Sequence, residues 1–213
     1  MPRISETATP VAEPGRTVVI RDGGVQIGTV DTQKNGRWTF VVPHLAAGST
    51  NTFTAVALGE TGIPGPFSQA YRVTIDTTAP VVERVTSSLA DGTYRVGQIV
   101  DIQVAFTEAV FVSGVPVLRM NTNTSRTARY VAGSGTSTLT FRFTVKRGDF
   151  ARHLDVVTTG SLDLDGGSIR DLAGNAASLR LPKPGSANSL RGSKTIVVDG
   201  RESLAFARVF GRS

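Results

Sequence analysis

Apolar and polar residues alternate along most of the chain, and turn-forming residues interrupt the alternation about every eight to twelve positions. A period of two residues is typical of β-strands that bury one face. The clearest example is the stretch 138–145, in which Leu139, Phe141, Phe143 and Val145 share one face. The chain is therefore predicted to be all-β.

The same pattern predicts a strand wherever β-branched and aromatic residues alternate between turns. These strands are expected at 17–21, 25–30, 37–42, 52–58, 71–75, 81–87, 99–107, 115–121, 128–132, 138–146 and 194–198. The glycine- and proline-rich stretch 59–66 is expected to be a loop. Since no stretch sustains a helical period, a helical turn is considered only at 149–154 or 171–177.

Two β-branched runs end in the same way and divide the chain in two. The first ends at Asp76 and passes through a short turn to Pro80, and the second ends at Asp199 before Gly200. Proline fixes its own φ and biases the preceding residue to an extended conformation, which favours a stiff joint at 76–80. The predicted organisation is a first module at 1–78, a second module at 79–200 and an irregular tail at 201–213.

Composition narrows the classes of function. The chain has no cysteine, which excludes disulfides, thiolate metal sites and a cysteine nucleophile. The net charge is +6, but the basic residues are scattered and have few aromatic neighbours, so no nucleic-acid partner is expected. Attraction to an anionic polysaccharide or an acidic cell surface stays open. No apolar run is long enough for membrane insertion, and the first fifteen residues lack a signal pattern, so any export signal is expected outside this chain.

Short motifs along both modules resemble the bacterial immunoglobulin-like repeats of large secreted and surface adhesins. The matching pieces in the first module are Glu13-Pro14-Gly15, Asp22-Gly23-Gly24, Ile27-Gly28-Thr29, Gly36-Arg37-Trp38-Thr39-Phe40, Phe53-Thr54-Ala55 and Asp76-Thr77-Thr78-Ala79-Pro80. Those in the second module, which resembles a different subtype, are Asp91-Gly92-Thr93-Tyr94, Phe106-Thr107-Glu108-Ala109-Val110, the run from Gly133 to Phe141, and Asp171-Leu172-Ala173-Gly174-Asn175. Each piece is weak, but their ordered succession is more specific.

The resemblance implies two tandem immunoglobulin-like β-sandwiches, the first of which is expected to lack its first strand. It implies a non-catalytic structural and adhesive segment of a secreted or cell-surface bacterial protein, with an extracellular location. The expected partners are neighbouring repeats of the same polypeptide and a cell-surface or extracellular-matrix polysaccharide or protein. The alternative is a carbohydrate-binding accessory module of a secreted enzyme, which a row of exposed aromatic residues would favour.

Calcium is the one cofactor that the sequence suggests, because such repeats bind it where two modules join. Calcium needs six to eight oxygen ligands, mostly carboxylates and carbonyls. Asp76 is at the joint, Glu108 is expected at a strand end, and Asp171 and Asn175 flank a turn. The alternative is that Asp76 and Asp171 only shape turns, as aspartate often does, and that Glu108 is a solvated strand-end charge.

Other chemistry-bearing residues point away from catalysis. His44 and His153 lie in different modules, and no serine has the nucleophile-elbow motif of hydrolases, so the chain is not expected to be an enzyme. The acidic turns at Asp22 and at 163–167 are interpreted as hairpin turns. Trp38 alternates with neighbouring apolar residues and is predicted to belong to the core rather than to a sugar-binding surface.

Overall fold

A computed structural model describes residues 3–6, 12–42, 44–124 and 126–201. The chain divides into two compact units, Met1–Thr78 and Ala79–Ser213. The described part is almost entirely β and its strands are mostly antiparallel. The all-β prediction is confirmed at this level. Apart from Arg201, the tail expected at 201–213 lies outside the described residues.

Among its described residues, the first unit contains seven strands. They are β1 (Arg3–Glu6), β2 (Thr17–Asp22), β3 (Val25–Asp31), β4 (Trp38–Val41), β5 (Thr50–Leu58), β6 (Pro64–Phe67) and β7 (Tyr71–Thr74). One sheet has the order β3-β2-β5-β6, with β7 pairing along the other part of β5, and a second sheet consists of β1 and β4. The β2–β3 hairpin turns at Gly23 and Gly24, whose φ angles of 55° and 88° suit glycine.

The core of the first unit is small. Val18 and Ile20 of β2 are buried against Trp38 of β4, which is 8% exposed, and this confirms that Trp38 is a core residue. A cavity of about 450 Å³ lies beside this cluster, between Trp38 and the residues of β5 and β6. Part of the inner face of the sheet formed by β2, β3, β5, β6 and β7 is therefore not packed against the side chains that the structure describes.

In the part of the second unit that the structure describes, there are ten strands and one short helix. They are β8 (Val82–Thr86), β9 (Gly92–Arg95), β10 (Ile99–Ser113), β11 (Val117–Arg119), β12 (Thr127–Ala132), β13 (Thr136–Thr144), β14 (Phe150–Ala151), β15 (Leu162–Asp163), β16 (Ser168–Arg170), α1 (Leu190–Ser193) and β17 (Ile196–Asp199). The larger sheet has the order β15-β11-β12-β13-β10-β16, and β8 pairs with β10. The smaller sheet has the order β14-β17-β9, and β17 runs parallel to β9.

The buried apolar side chains that the structure describes in the second unit form one cluster. Leu139, Phe141 and Phe143 of β13 are fully buried, as the alternation predicts. Ile196 and Val198 of β17, in the smaller sheet, belong to the same cluster. Both sheets thus contribute side chains to one core, which is the main source of stability in a domain of this size.

Three local predictions are wrong. The stretch 59–66, expected to be a loop, contains the start of β6, which pairs with β5 at the edge of its sheet. The helix is not at 149–154 or 171–177 but at Leu190–Ser193, where the Ser189 side chain caps it by accepting from the Gly192 N–H. The strand expected to end at 107 continues through Glu108 to Ser113.

Candidate metal centre

Glu108 lies where β10 changes partners. Up to Ala105 the strand pairs in register with β13, and the register shifts before Val110. From Phe111 onward it pairs with β16 instead. The prediction that Glu108 ends a strand is therefore wrong, because the strand continues past an irregularity, and such irregularities re-aim side chains. The Glu108 side chain is half-buried.

Asp171 closes the turn that follows β16. Its Oδ1 accepts a hydrogen bond of 2.8 Å from the Asn175 backbone N–H, and its Oδ2 accepts one of 2.7 Å from the Asn175 side-chain amide. Gly174 has a φ of 95°, which lets the chain turn back towards Asp171. This geometry agrees with the expectation that Asp171 shapes a turn.

The same contacts set the charge of Asp171. Burial raises the pKa of its carboxyl group, but the hydrogen bonds from Asn175, Gly174 and Ala173 outweigh burial, and the pKa lies below the ordinary value of 3.8. The side chain is 5% exposed. Asp171 is therefore an ionised carboxylate at neutral pH in a site almost closed to water.

Strand pairing brings Glu108 to Asp171. Phe111 pairs with Arg170 in the antiparallel β10–β16 ladder, so the residue after Arg170 lies alongside the stretch of β10 just before Phe111. A carboxylate oxygen of Glu108 lies within 4.8 Å of one of Asp171. With Asn175 bonded to Asp171, three of the four predicted ligands lie in one cluster of the second unit. Two carboxylates this close repel each other unless a cation or a proton lies between them.

Asp76, the fourth predicted ligand, follows β7 at the end of the first unit. Its side chain is exposed, and its Oδ1 accepts a hydrogen bond of 2.9 Å from the Thr78 N–H. The bond spans two residues, which is the pattern by which aspartate stabilises a turn. Asp76 thus shapes the chain where it leaves the first unit.

The two histidines and the two acidic turns do not form a further site with one another. His44 and His153 lie in different units. The segment 163–167 is a turn in which Asp163 Oδ1 accepts from the Asp165 N–H, but the strands on either side of it, β15 and β16, pair with β11 and β10 and not with each other. Asp22 Oδ1 accepts from the Thr52 N–H beside the β2–β3 hairpin turn. The Asp22 turn is confirmed as a hairpin turn, and the hairpin prediction for 163–167 is wrong because its two flanking strands join different neighbours in the sheet.

Exposed aromatic residues bear on the carbohydrate-binding alternative. Among the described residues, the exposed aromatic side chains are Phe67, Tyr71 and Phe111. Phe67 pairs with Val56 and Tyr71 pairs with Phe53, and these two positions of β5 face opposite sides of the sheet. Within the first unit, Phe67 and Tyr71 therefore do not form a row on one face.

Sequence reasoning missed two buried acidic residues. Asp149 is fully buried, forms an ion pair of 2.8 Å with Arg126, and accepts from the Lys146 N–H at 2.7 Å. Asp155 is 1% exposed and accepts from the N–H groups of Val156 and Gly185. Two of their partners, Arg126 for Asp149 and Gly185 for Asp155, lie far away in sequence, so no local pattern marks these contacts. Both carboxylates stabilise loops.

Comparisons with known proteins do not identify a family. No family model matches the chain, and no curated protein matches it significantly. Within the described ranges, no helix has the length and apolar character needed to cross a membrane. Function therefore has to be argued from the residues and the geometry described above.

Proposed function

We propose that the chain is a non-catalytic spacer and adhesive segment of a secreted or cell-surface bacterial protein, built from two immunoglobulin-like β-sandwich repeats. The cluster of Glu108, Asp171 and Asn175 carries the proposal, because it lies in the second unit beside the residues through which the chain enters that unit. Two compact, almost entirely β units joined by a short segment suit a series of rigid modules. Motif succession along both modules supports the repeat family.

The entry of the chain into the second unit is tightly held. Pro80 O accepts a hydrogen bond of 2.8 Å from the Ser178 N–H. Val81 and Thr107, the residue before Glu108, exchange two hydrogen bonds, from the Val81 N–H to Thr107 Oγ1 at 3.1 Å and from the Thr107 N–H to Val81 O at 2.9 Å. The first residues of the second unit are thus fixed beside Glu108 on one side and beside the segment that follows Asn175 on the other.

We propose that calcium binds at this cluster and that Asp76 contributes a third carboxylate. Asp76 and Pro80 are four residues apart, so the chain between them spans at most roughly 14 Å. Oxygen atoms of Glu108, Asp171, Asn175 and Asp76, with backbone carbonyls, are the ligand type that calcium prefers. The ion would offset the repulsion between Glu108 and Asp171 and restrict the segment 76–80.

Thermal unfolding tests the calcium site. The chain is stripped with a chelator and then unfolded with and without millimolar calcium, together with the variants Glu108→Gln and Asp76→Asn. A ligand that binds only the folded form stabilises it by about 2.7 kcal/mol at one hundred times its dissociation constant. We expect a rise in the unfolding temperature for the wild type, a much smaller rise in both variants, and an unchanged rise in the control Asp31→Asn, an exposed carboxylate of the first unit.

The spacer role has its own readout. If calcium stiffens the joint, NMR relaxation of backbone amides in the two units should give one common tumbling time with calcium and two shorter times after chelation. An unfolding temperature that ignores calcium in the wild type would overturn the calcium site. Independent tumbling of the two units in saturating calcium would overturn the stiff spacer.

A further inference from the structure

The solvent-facing side of the larger sheet in the second unit has a distinct pattern of charge. Leu139, Phe141 and Phe143 of β13 point into the core, so Arg142 lies on the opposite, exposed face. The register places Arg142 directly opposite Asp101 of β10 on one side and Arg129 of β12 on the other. Two arginines thus lie side by side near the middle of this face.

The two arginines differ in their partners. Arg142 Nε and Nη2 each donate to the Asp101 carboxylate at 2.9 Å, which fixes the plane of the guanidinium. Arg129 is exposed, and no hydrogen bond or ion pair to its side chain is found in the part of the chain that the structure describes. Like charges directly opposite each other on neighbouring strands are unfavourable. An anion bound between Arg129 and Arg142 would relieve this repulsion.

The surroundings of the pair are polar and suited to sugars. The hydroxyl and amide side chains that share this face are Thr86, Gln103, Thr127, Thr138, Thr140 and Thr144. They offer hydrogen-bond donors and acceptors across neighbouring strands, as an extended chain of sugar hydroxyls requires. The guanidinium fork matches a carboxylate in a bidentate way.

Nucleic acid fits this face less well. Single strands bind to basic grooves in which aromatic side chains stack on the bases. Tyr130, the aromatic residue next to Arg129, faces away from this surface and packs edge-on against Phe141 with ring centroids 6.0 Å apart. The face therefore combines positive charge and hydroxyl groups without a stacking platform beside the arginine pair.

We propose that this face of the second unit binds an acidic polysaccharide, with Arg129 and the Nη1 group of Arg142 holding one carboxylate of the glycan. The inference rests on the adhesive role proposed above and names its ligand class. It needs no calcium, because all of its residues lie on the outer face of the sheet formed by β8, β10, β12 and β13.

The test measures the affinity of the full chain for polygalacturonate in the presence of a chelator, by calorimetry at two salt concentrations. The Arg129→Gln variant should bind about tenfold more weakly, since it loses a charge-assisted pair of hydrogen bonds. Arg129→Lys keeps the charge but loses the fork and should fall between the two. The matched control is Arg72→Gln, an exposed strand arginine of the first unit, which should bind as the wild type does.

Three results would each overturn the proposal. The first is equal affinity of the wild type and Arg129→Gln for polygalacturonate, and the second is binding of neutral dextran as tight as that of polygalacturonate. The third is binding of oligothymidylate that is as tight as that of polygalacturonate and is weakened as much by Arg129→Gln. Unfolding curves of each variant show that a loss of affinity is not a loss of folding. Because the assay excludes calcium, failure here leaves the calcium-stiffened spacer standing. Conversely, if the chain binds polygalacturonate but calcium does not change its unfolding temperature, the calcium site fails and the polysaccharide-binding face stands.

Discussion

The two units differ in how completely their sheets enclose apolar side chains. In the first unit, the buried cluster of Val18, Ile20 and Trp38 lies beside a cavity of about 450 Å³. In the second unit, a much larger cluster includes buried residues from nearly every strand. Since packing contributes most of the stability of such domains, the first unit is expected to unfold at lower temperature or denaturant concentration than the second.

The largest effect is expected when a side chain is removed from the packed core of the second unit. Phe141→Ala should destabilise the second unit by about 3–5 kcal/mol, because it leaves a cavity among fully buried neighbours. Trp38 is the only tryptophan of the chain and lies in the first unit. Its fluorescence therefore reports the first unit, while far-UV circular dichroism reports both.

The matched control is Phe67→Ala in the first unit. Phe67 is 60% exposed and lies under the Arg21 guanidinium, 5.8 Å from the ring centroid. Its loss should cost no more than about 1 kcal/mol. A Trp38 transition that moves as far as the second-unit transition in Phe141→Ala would show that the two units unfold together, and the comparison would fail.

A second test makes the same substitution in both units. Ala57 of β5 lines the cavity, so Ala57→Val should fill space and stabilise the first unit by about 0.5–1 kcal/mol. Ala128 of β12 is fully buried in the dense core, so Ala128→Val should destabilise the second unit by about 1–3 kcal/mol. Urea unfolding measures both, and effects of the same sign would contradict the contrast in packing.

Low pH should destabilise the second unit through two of its carboxyl groups, independently of its packing. Asp171 and Asp199 both lie in the second unit and both have a lowered pKa, Asp199 chiefly because Arg201 donates hydrogen bonds to it. A carboxyl group whose pKa is lowered by folding stabilises the folded form above its unfolded pKa, and this contribution is lost as pH falls through the folded value.

Stability of the second unit should therefore fall as pH drops below about 4. Asp171→Asn should make that fall shallower, and the double variant with Asp199→Asn should make it shallower still. Urea midpoints at a series of pH values measure the slope. Wild-type and Asp171→Asn curves that stay parallel throughout would contradict the assigned shift.

The smallest expected effect concerns the outer face of the second unit. Arg129→Gln removes the like charge opposite Arg142 and should raise the stability of the second unit by a few tenths of a kcal/mol. Thermal unfolding at low salt gives the greatest sensitivity, because salt screens exposed charges. A clear loss of stability would mean that Arg129 supports the sheet, and the role in ligand binding would need another explanation.

Alternation along the sequence predicted the longer strands, but it does not encode which strands pair. Alternation placed β13 with its buried face correct, because local sequence sets which residues point inward. β6 was missed because Pro64 and Pro66 disfavour a strand, although they are tolerated at a sheet edge. The position of Glu108 depends on a register shift and on pairing with β16, about sixty residues later, which no local pattern encodes. The helix at Leu190–Ser193 is too short to show a period.

The placement of β17 has a consequence for how the protein is made. This strand, Ile196–Asp199, is the middle strand of the smaller sheet and pairs in parallel with β9, about one hundred residues earlier. During synthesis, the second unit cannot complete its core until β17 has left the ribosome, because Ile196 and Val198 belong to that core. The first unit emerges long before that point, whereas β9 and β14 stay without their partner strand until β17 is available. Ribosome-stalled chains that end shortly before Ile196 should therefore be protease-sensitive from Ala79 onward.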